Sequence, residues 1–294
     1  MTQAPSSPPS RADALASLLG FWADAGVLDP ADAAAILRRN ARASREPRTD
    51  SAAGSDPRAP QSPNHPLGRE GQKPPRPPPR KLSRNPVEEA RKAAAAAATI
   101  EALRETIDRF EGCPLKPGAR RTVVSDGALD APVMLVGEAP GAEEDAKGLP
   151  FVGRAGQLLD RMLASIGLSR SVNVYITNTV YWRPPGNRDP TPEEIAICSP
   201  FLQRQIELKK PKLLLTAGKP ATQSLLRTEE GIMRLAGRRT RYIQAGMADS
   251  IPCIPLLHPS YLLRRSADKA KAWRHLMAVA ALCDELGVKR DGAL

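Results

Sequence analysis

Residues 133–160 read Val-Met-Leu-Val-Gly-Glu-Ala-Pro-Gly-Ala-Glu-Glu-Asp-Ala-Lys-Gly-Leu-Pro-Phe-Val-Gly-Arg-Ala-Gly-Gln-Leu-Leu-Asp, and this stretch decides the fold. The apolar run at 133–136 predicts a strand, and apolar residues from Leu158 to Ile166 recur at helical spacing. Between them lies a long loop with glycines, a Pro-Gly turn and several carboxylates. Because open α/β sheets bind ligands at the carboxyl ends of their strands, we expect a ligand site here. The residues alone leave open a long structural turn, or a glycine-rich phosphate loop without the Walker lysine.

Downstream of this stretch, strand-like and helix-like segments alternate. Apolar runs with strand character are followed by stretches in which apolar residues recur at helical spacing. Such alternation is typical of a parallel sheet covered by helices on both faces. The sequence therefore predicts an α/β fold with a short central parallel sheet. The expected strands are 133–136, 174–177, 213–216 and 253–257, and the expected helices lie near 154–167, 192–208, 219–227 and 268–286.

Composition divides the chain into three parts. Residues 44–86 hold 11 of the 30 prolines and almost no large apolar side chains, so we expect a disordered, polyproline-biased linker there. It would act as a plain tether or, alternatively, as a proline-rich ligand for a partner that the sequence does not identify. Residues 1–43 predict a small helical segment. Residues 87–288 predict the folded domain, with an alanine-rich leading helix at 87–110.

The chain is strongly basic, with 43 lysines and arginines against 32 acidic residues in 294. Part of the excess lies in the linker, which has nine basic and four acidic residues. Basic proteins favour polyanionic partners, so the charge is consistent with DNA binding. The alanine run at 93–98 is too short to cross a membrane, and we see no secretory signal. Four cysteines do not indicate a disulfide framework, and we expect a cytoplasmic monomer.

Three motifs in a fixed order carry a family resemblance. The first is Gly-Glu-Ala-Pro-Gly at 137–141 with its glycine-rich continuation, the second spans 177–188 and the third spans 258–264. Together they resemble the motifs of family 4 uracil-DNA glycosylases, over roughly residues 108–285. The resemblance implies a three-layer α/β/α fold and hydrolysis of the bond between uracil and deoxyribose, which initiates base-excision repair. The substrate would be DNA that contains uracil, in single strands or in U·G mismatches.

The resemblance and the chemistry together assign three side chains to a uracil pocket. A base is reached only outside the stack, so the pocket needs an aromatic face, a directional amide and a donor to the leaving base. Phe151 is expected to stack on uracil, although most phenylalanines are core residues. Asn178 is expected to bind the base edge, its alternative role being a turn that closes the strand. His258 is expected to stabilise the uracil anion.

Glu138 is the carboxylate that the resemblance assigns to the sugar side of the reaction. It would position water or stabilise the oxocarbenium-like sugar. The acidic run at 143–145 supplies rival carboxylates, although three acidic residues in a row are typical of a solvated turn or a helix start. We also expect Gly137 and Ala139, the neighbours of Glu138, to line the uracil site.

Residues that follow His258 are expected to contact DNA. The segment 261–265, with Leu262 as the candidate, could supply an apolar wedge that fills the space of the flipped base, or Leu262 and Leu263 could simply begin the last helix. Several basic side chains are expected to bind phosphates. They are Arg264 and Arg265, with Arg183, Arg188 and Lys147 as further candidates.

The chain departs from the family pattern at its cysteines. Family 4 enzymes typically hold a [4Fe-4S] cluster on four cysteines, and such a cluster ordinarily needs four protein ligands. Cys113 and Cys198 match two of the four positions, whereas Phe110 and Trp182 occupy the other two. Large aromatic side chains could fill the volume that a cluster would occupy. We therefore expect a variant with no cofactor that keeps its catalytic side chains.

Two other functions stay open at this point. The chain could be a DNA- or uracil-binding paralog with weak or altered-base glycosylase activity, since the sequence identifies no residue that excludes the thymine methyl group. It could also be a nucleotide-binding protein that uses 137–141 as a phosphate loop, but that function leaves the motifs at Asn178 and His258 unexplained. The fold alone would not separate these functions.

Overall fold

A six-stranded sheet carries the fold, in a computed structural model that describes residues 85–244, 246 and 249–290. In chain order the strands are β1 (Ser125–Gly127), β2 (Val133–Gly137), β3 (Val174–Asn178), β4 (Leu213–Ala217), β5 (Thr240–Tyr242) and β6 (Ile251–Leu256). Across the sheet the order is β1-β3-β2-β4-β6-β5. The segment predicted at 1–43 and the linker as far as residue 84 lie outside the described residues.

Helices surround this sheet and connect its strands. They are α1 (Pro86–Ala96), α2 (Ile100–Arg109), α3 (Ala142–Lys147), α4 (Arg154–Ala164), α5 (Pro192–Lys209), α6 (Lys219–Leu226), α7 (Ile232–Leu235), α8 (Pro259–Arg264) and α9 (Lys269–Glu285). Short 3-10 turns occur at Lys116–Gly118, Pro185–Asn187 and Ser266–Asp268. No helix in the described part of the chain is both long and apolar enough to cross a bilayer.

The four central strands, β3, β2, β4 and β6, run parallel, as predicted. Every residue of β2, β3 and β4 is buried, because helices cover both faces of the sheet, and this is why they read as continuous apolar runs. The edge strands β1 and β5 are antiparallel and three residues long, and they were not predicted. The α/β fold is confirmed, as a mixed sheet with a parallel centre.

The predicted leading helix at 87–110 is two helices rather than one. The chain leaves the helical conformation after Ala96, and Thr99 begins α2 by accepting a hydrogen bond from the backbone N–H of Ala102 at 3.2 Å. The carbonyl of Ala97 accepts two hydrogen bonds from the guanidinium of Arg204, at 2.9 and 3.0 Å. A threonine cap and a distant arginine therefore outweigh the helix propensity of the alanine run.

The parallel strands end at one edge of the sheet, and this edge gathers the predicted functional residues. β2 ends at Gly137 and β3 at Asn178, which are register partners in the ladder. β4 is followed by Gly218, and β6 is followed by Leu257 and His258. The topology therefore brings all three motifs to the carboxyl edge of the sheet, where such folds bind ligands.

Candidate active site

A cleft of about 820 Å³ opens at the carboxyl edge of the parallel strands. Its lining includes side chains from each of the three motifs. Most of the residues predicted for the site are among them. They are Glu138, Ala139, Phe151, Asn178, Arg188, His258, Arg264 and Arg265.

Gly137 lets two of these side chains approach the same point. A Cβ atom at Gly137 would lie 2.4 Å from Oδ1 of Asn178 and 2.5 Å from the ring of Phe151. Neither distance is possible between real atoms without a shift. The backbone N–H of Thr179 donates to the carbonyl of Gly137 at 3.0 Å and so holds the two strand ends together. The glycine therefore creates the contact between the aromatic ring and the amide.

Phe151 adopts a left-handed backbone conformation with φ of 53°. This conformation is uncommon for a residue with a side chain and costs about 1–2 kcal/mol. Arg170 donates to its carbonyl at 2.8 Å, and Gly156 in α4 allows the same carbonyl a close approach. The surrounding structure thus compensates for the strain and turns the ring into the cleft, where it is 7% exposed.

Asn178 is buried and faces the cleft, with 2% of its surface exposed. Among the described residues its Oδ1 atom has no hydrogen-bond partner. A buried polar atom without a partner is unfavourable by about 1–3 kcal/mol. A buried acceptor that lacks a partner and faces a cleft is suited to accept a hydrogen bond from an N–H group of a ligand.

His258 begins α8 and packs its ring between two features of the cleft. The centroid of its ring lies 5.7 Å from that of Phe151. On another side it packs against Gly218, where an added Cβ atom would lie 3.2 Å from Cβ of His258. Nδ1 accepts from the backbone N–H of Ser260 at 3.1 Å and is 2.7 Å from its hydroxyl. The proton of the neutral ring therefore belongs on Nε2. Burial, helped by the charge of Arg264, lowers the pKa of His258 to about 4.

Glu138 is a carboxylate whose environment favours the protonated form. Burial raises its pKa to about 7, together with a hydrogen bond to Asp189 and the negative charge of that residue, while Arg264 acts in the opposite direction. A group that titrates near neutral pH can hold or release a proton under working conditions. Both carboxylates line the cleft.

The rival carboxylates at 143–145 have other partners. Glu144 accepts hydrogen bonds from the backbone N–H groups of Val152 and Gly153, at 2.9 and 3.0 Å, and so fixes the loop that carries the aromatic ring. Asp145 is buried and accepts from the backbone N–H groups of two arginines. Glu143 does not line the cleft. Glu144 does, but its oxygens are engaged with the backbone.

Of the two leucines in the segment predicted to supply a wedge, only one is exposed. Leu262 is fully buried in the hydrophobic core, because the apolar face of α8 packs on α4 and the sheet. Its neighbour Leu263 is 39% exposed. An apolar side chain able to enter DNA on this turn is therefore Leu263, and the sequence offered no signal to choose between them.

The predicted phosphate contacts divide into two groups. Arg264 and Arg265 line the cleft without a side-chain ion pair to a described residue. Arg188 also lines it, but both of its terminal nitrogens bind Glu194, at 2.6 and 2.8 Å. Arg183 lies outside the cleft and donates to Asn187 at 2.6 Å. Of these four arginines, only Arg264 and Arg265 line the cleft without an ion pair to a described residue.

The cysteine positions form a packed aromatic cluster. Cys113 and Cys198 are fully buried and pack in one cluster with Phe110 and Trp182. The ring of Phe110 meets that of Phe201 edge to face, with the ring centroids 5.0 Å apart. Burial raises the pKa of the Cys198 thiol, which favours its neutral form. The other two cysteines, at 253 and 283, pack in two different clusters. Two thiols surrounded by aromatic rings do not fit a four-iron cluster.

Three contributing residues were missed by sequence reasoning. Asp189 contacts Glu138, Gly218 packs against the His258 ring, and Ser260 fixes the tautomer of that ring. Gly218 had a signal, since it follows a predicted strand at the edge where ligands bind. Asp189 had none, because its proximity to the site depends on the loop between β3 and α5.

The comparisons with known proteins agree with this geometry. The profile of the uracil DNA glycosylase superfamily matches residues 124–277. A type-4 uracil-DNA glycosylase from Thermotoga maritima is 39% identical over 173 residues, which are 58% of the chain and 87% of that protein. Those of Pyrobaculum aerophilum and Archaeoglobus fulgidus are each 38% identical, over 57% and 58% of the chain and 86% of each relative.

Proposed function

The chain belongs to the uracil DNA glycosylase superfamily and, within it, to the type-4 family, and we propose that it hydrolyses the N-glycosidic bond between uracil and deoxyribose in DNA. This reaction initiates base-excision repair. One observation carries the proposal: Phe151, Asn178 and His258 line a single cleft although they lie on three separate segments. These are the aromatic face, the directional amide and the leaving-group donor that the chemistry requires.

The base-binding half of the cleft is suited to uracil. The ring of Phe151 offers a stacking face, and the free Oδ1 of Asn178 accepts the N3–H of uracil while its Nδ2 donates to O4. Cytosine presents an acceptor at N3 and a donor at its exocyclic nitrogen, so both contacts would be lost. A site built on such pairs rejects the wrong base strongly.

His258 is the group that receives the developing negative charge. Its Nε2–H is free to donate to O2 of uracil, because Nδ1 is held as an acceptor by Ser260. With a pKa of about 4 the ring is neutral at pH 7, so it stabilises the uracil anion through a hydrogen bond rather than by full proton transfer.

Glu138 serves the sugar side of the bond. The C1′–N1 bond breaks and its electron pair leaves with uracil, which gives the sugar oxocarbenium character. A water oxygen then bonds to C1′ and releases a proton, which the Glu138 carboxylate accepts. A pKa of about 7 supports this role, since the group is ionised above neutral pH and is basic enough to take a proton.

The DNA outside the flipped nucleotide would be held by α8. Arg264 and Arg265 supply positive charge at the mouth of the cleft, and the exposed Leu263 is positioned to fill the space of the extruded base. The substrate is uracil in single-stranded DNA or in a U·G mismatch, acted on by a cytoplasmic monomer.

We further propose that the reaction uses no iron–sulfur cluster or other cofactor. The support is the packing of Phe110 and Trp182 around two thiols, which leaves half of the ligand set of such a cluster. The aromatic cluster holds the segments near residues 113 and 198 together by apolar burial instead.

The test is alkaline cleavage of labelled single-stranded and U·G duplex DNA. Wild type should produce breaks at uracil, and Asn178→Ala should lose at least about a hundredfold in kcat/KM, since it lacks the base-edge contacts. Gln157→Ala is the matched control, because it removes an exposed amide from α4 outside the cleft. No breaks at enzyme excess, with binding of uracil DNA retained, would instead indicate a binding paralog.

A further inference from the structure

A second cleft, of about 530 Å³, lies beside the first and is lined by four basic side chains. They are Lys116, Arg120, Arg121 and Lys147. We call it the basic cleft. It does not share a lining residue with the cleft that holds Asn178 and His258. Of its basic residues, the sequence analysis named only Lys147 as a phosphate contact, because the cleft combines segments that are far apart along the chain.

The backbone of the basic cleft is held firmly. The carboxylate of Asp145 accepts hydrogen bonds from the backbone N–H groups of Arg120 and Arg121, at 2.7 and 3.3 Å, and so attaches this segment to α3. Thr122 accepts from the indole N–H of Trp182 at 3.2 Å. The contacts use backbone atoms of the two arginines, which leaves their guanidinium groups for other partners.

One acidic side chain, Asp108, lines the basic cleft beside its four basic ones, so the cleft has an excess of positive charge. Lys116 has an ion pair with Glu111 at 3.1 Å. Arg120, Arg121 and Lys147 are exposed and make no side-chain hydrogen bond or ion pair with the residues that the structure describes. Three unpaired cations that converge on one concave surface attract a polyanion.

Helix α3 connects the two clefts and sets their separation. At its start, Gly141 and Glu144 line the cleft that contains Asn178. At its end, Lys147 and Gly148 line the basic cleft. A six-residue helix rises about 9 Å. One DNA strand of a few nucleotides is therefore long enough to reach both clefts.

We propose that the basic cleft binds backbone phosphates of the substrate strand outside the flipped uracil nucleotide. The inference rests on the proposed function, which supplies the DNA. Arginine and lysine are the usual phosphate contacts, and such contacts position a strand without reading its sequence. An acidic peptide is a weaker fit. Trp182 is the only large apolar side chain in the lining, and at 1% exposed it provides no surface on which the side chains of a peptide could pack.

The first test is DNA binding, which does not depend on catalysis. Fluorescence anisotropy with a 15-nucleotide single strand without uracil compares wild type with the triple variant Arg120→Gln/Arg121→Gln/Lys147→Gln. We expect the slope of log Kd against log salt to fall by about 2, since each single-strand phosphate contact contributes about 0.7. At low salt the affinity should fall about tenfold or more. The control triple variant Arg161→Gln/Arg274→Gln/Lys289→Gln removes equal charge outside both clefts.

A second test locates the contact on the DNA. Single methylphosphonates neutralise one phosphate at a time in a uracil-containing strand, and wild-type kcat/KM should also fall at a position beyond the phosphates that flank the uracil nucleotide. This measurement needs no protein variant and is therefore independent of folding. The triple variant should be insensitive to the same substitution.

Three results would overturn the proposal. They are equal salt slopes for wild type and the triple variant, an equal loss in both triple variants, and no dependence on phosphates beyond the nearest neighbours of uracil. A wild type that binds DNA through these residues but cleaves none would leave the basic cleft supported and the proposed glycosylase function contradicted. The two failures are thus distinguishable.

Discussion

The main chain of Gly137 lies against Oδ1 of Asn178, its register partner in the neighbouring strand, with no room for a Cβ atom between them. The same missing side chain admits the ring of Phe151, which would lie 2.5 Å from that Cβ. One glycine at the end of β2 therefore determines how close the stacking face and the base-reading amide can be. This relationship leads directly to the first prediction.

Gly137→Ala should lose about a hundredfold or more in kcat/KM, because displacement of a positioned group by about 1 Å has effects of that size. The readout is uracil release from a labelled single strand, with the melting temperature as a check of folding. Gly118→Ala is the matched control, since a Cβ there meets no heavy atom within 4 Å. Equal activity of the two variants would contradict the role given to Gly137.

Asp189→Asn should shift the pH dependence of the reaction. Asp189 helps to raise the pKa of Glu138 to about 7, through a hydrogen bond and its negative charge, so its neutralisation should lower that pKa. If activity needs ionised Glu138, the acidic limb of kcat/KM moves to lower pH in the variant. The profile is measured from pH 5 to 9, with the exposed Asp249→Asn as control. An unmoved limb would show that the two carboxylates are not coupled.

Glu138→Gln should stabilise the protein at pH 8 while it removes activity. The folded pKa of about 7 exceeds the ordinary value of 4.5, so the folded state binds more protons and loses stability as pH rises between these values. Glutamine removes this unfavourable effect, which we put at about 1–2 kcal/mol after solvent screening. Melting temperatures at pH 8 and pH 4 test the sign, because the difference should vanish at pH 4.

The two leucines of α8 should behave in opposite ways. Leu263→Ala should lower kcat/KM on U·G duplex by severalfold without a change in melting temperature, since the side chain is exposed. Leu262→Ala should destabilise the fold by about 2–5 kcal/mol, because it leaves a cavity in the core. Thermal unfolding and duplex cleavage of both variants separate the roles. A stable, inactive Leu262→Ala would restore the assignment made from the sequence.

Purified wild type should show neither iron nor a broad absorbance near 400 nm. Cys113→Ala and Cys198→Ala should then keep kcat/KM within about threefold, since the thiols act only as small buried groups. Trp182→Ala, in contrast, should destabilise the domain by about 3–5 kcal/mol. About four irons per chain, lost together with activity in the cysteine variants, would contradict the cofactor-free proposal.

The sequence by itself determined the family, the four parallel strands and the loop that carries the first motif. These features are encoded locally, as continuous apolar runs and short motifs, because central strands are buried on both faces and the glycines meet backbone requirements. The edge strands β1 and β5 were missed because three residues hold too little pattern. The break between α1 and α2 was missed because Arg204 lies 107 residues from the carbonyl that it binds.

Only the tertiary structure decided which role each side chain of the site can have. It showed that Glu144 supports the loop, that Glu138 is close to Asp189, and that Leu263 rather than Leu262 is exposed. It also brought the residues of the basic cleft together. Each outcome depends on the direction of a side chain and on contacts between segments that are far apart in the chain. The spacing and composition of the sequence do not determine these two properties. A sequence names the groups that can do the chemistry, and packing decides which of them reach the substrate.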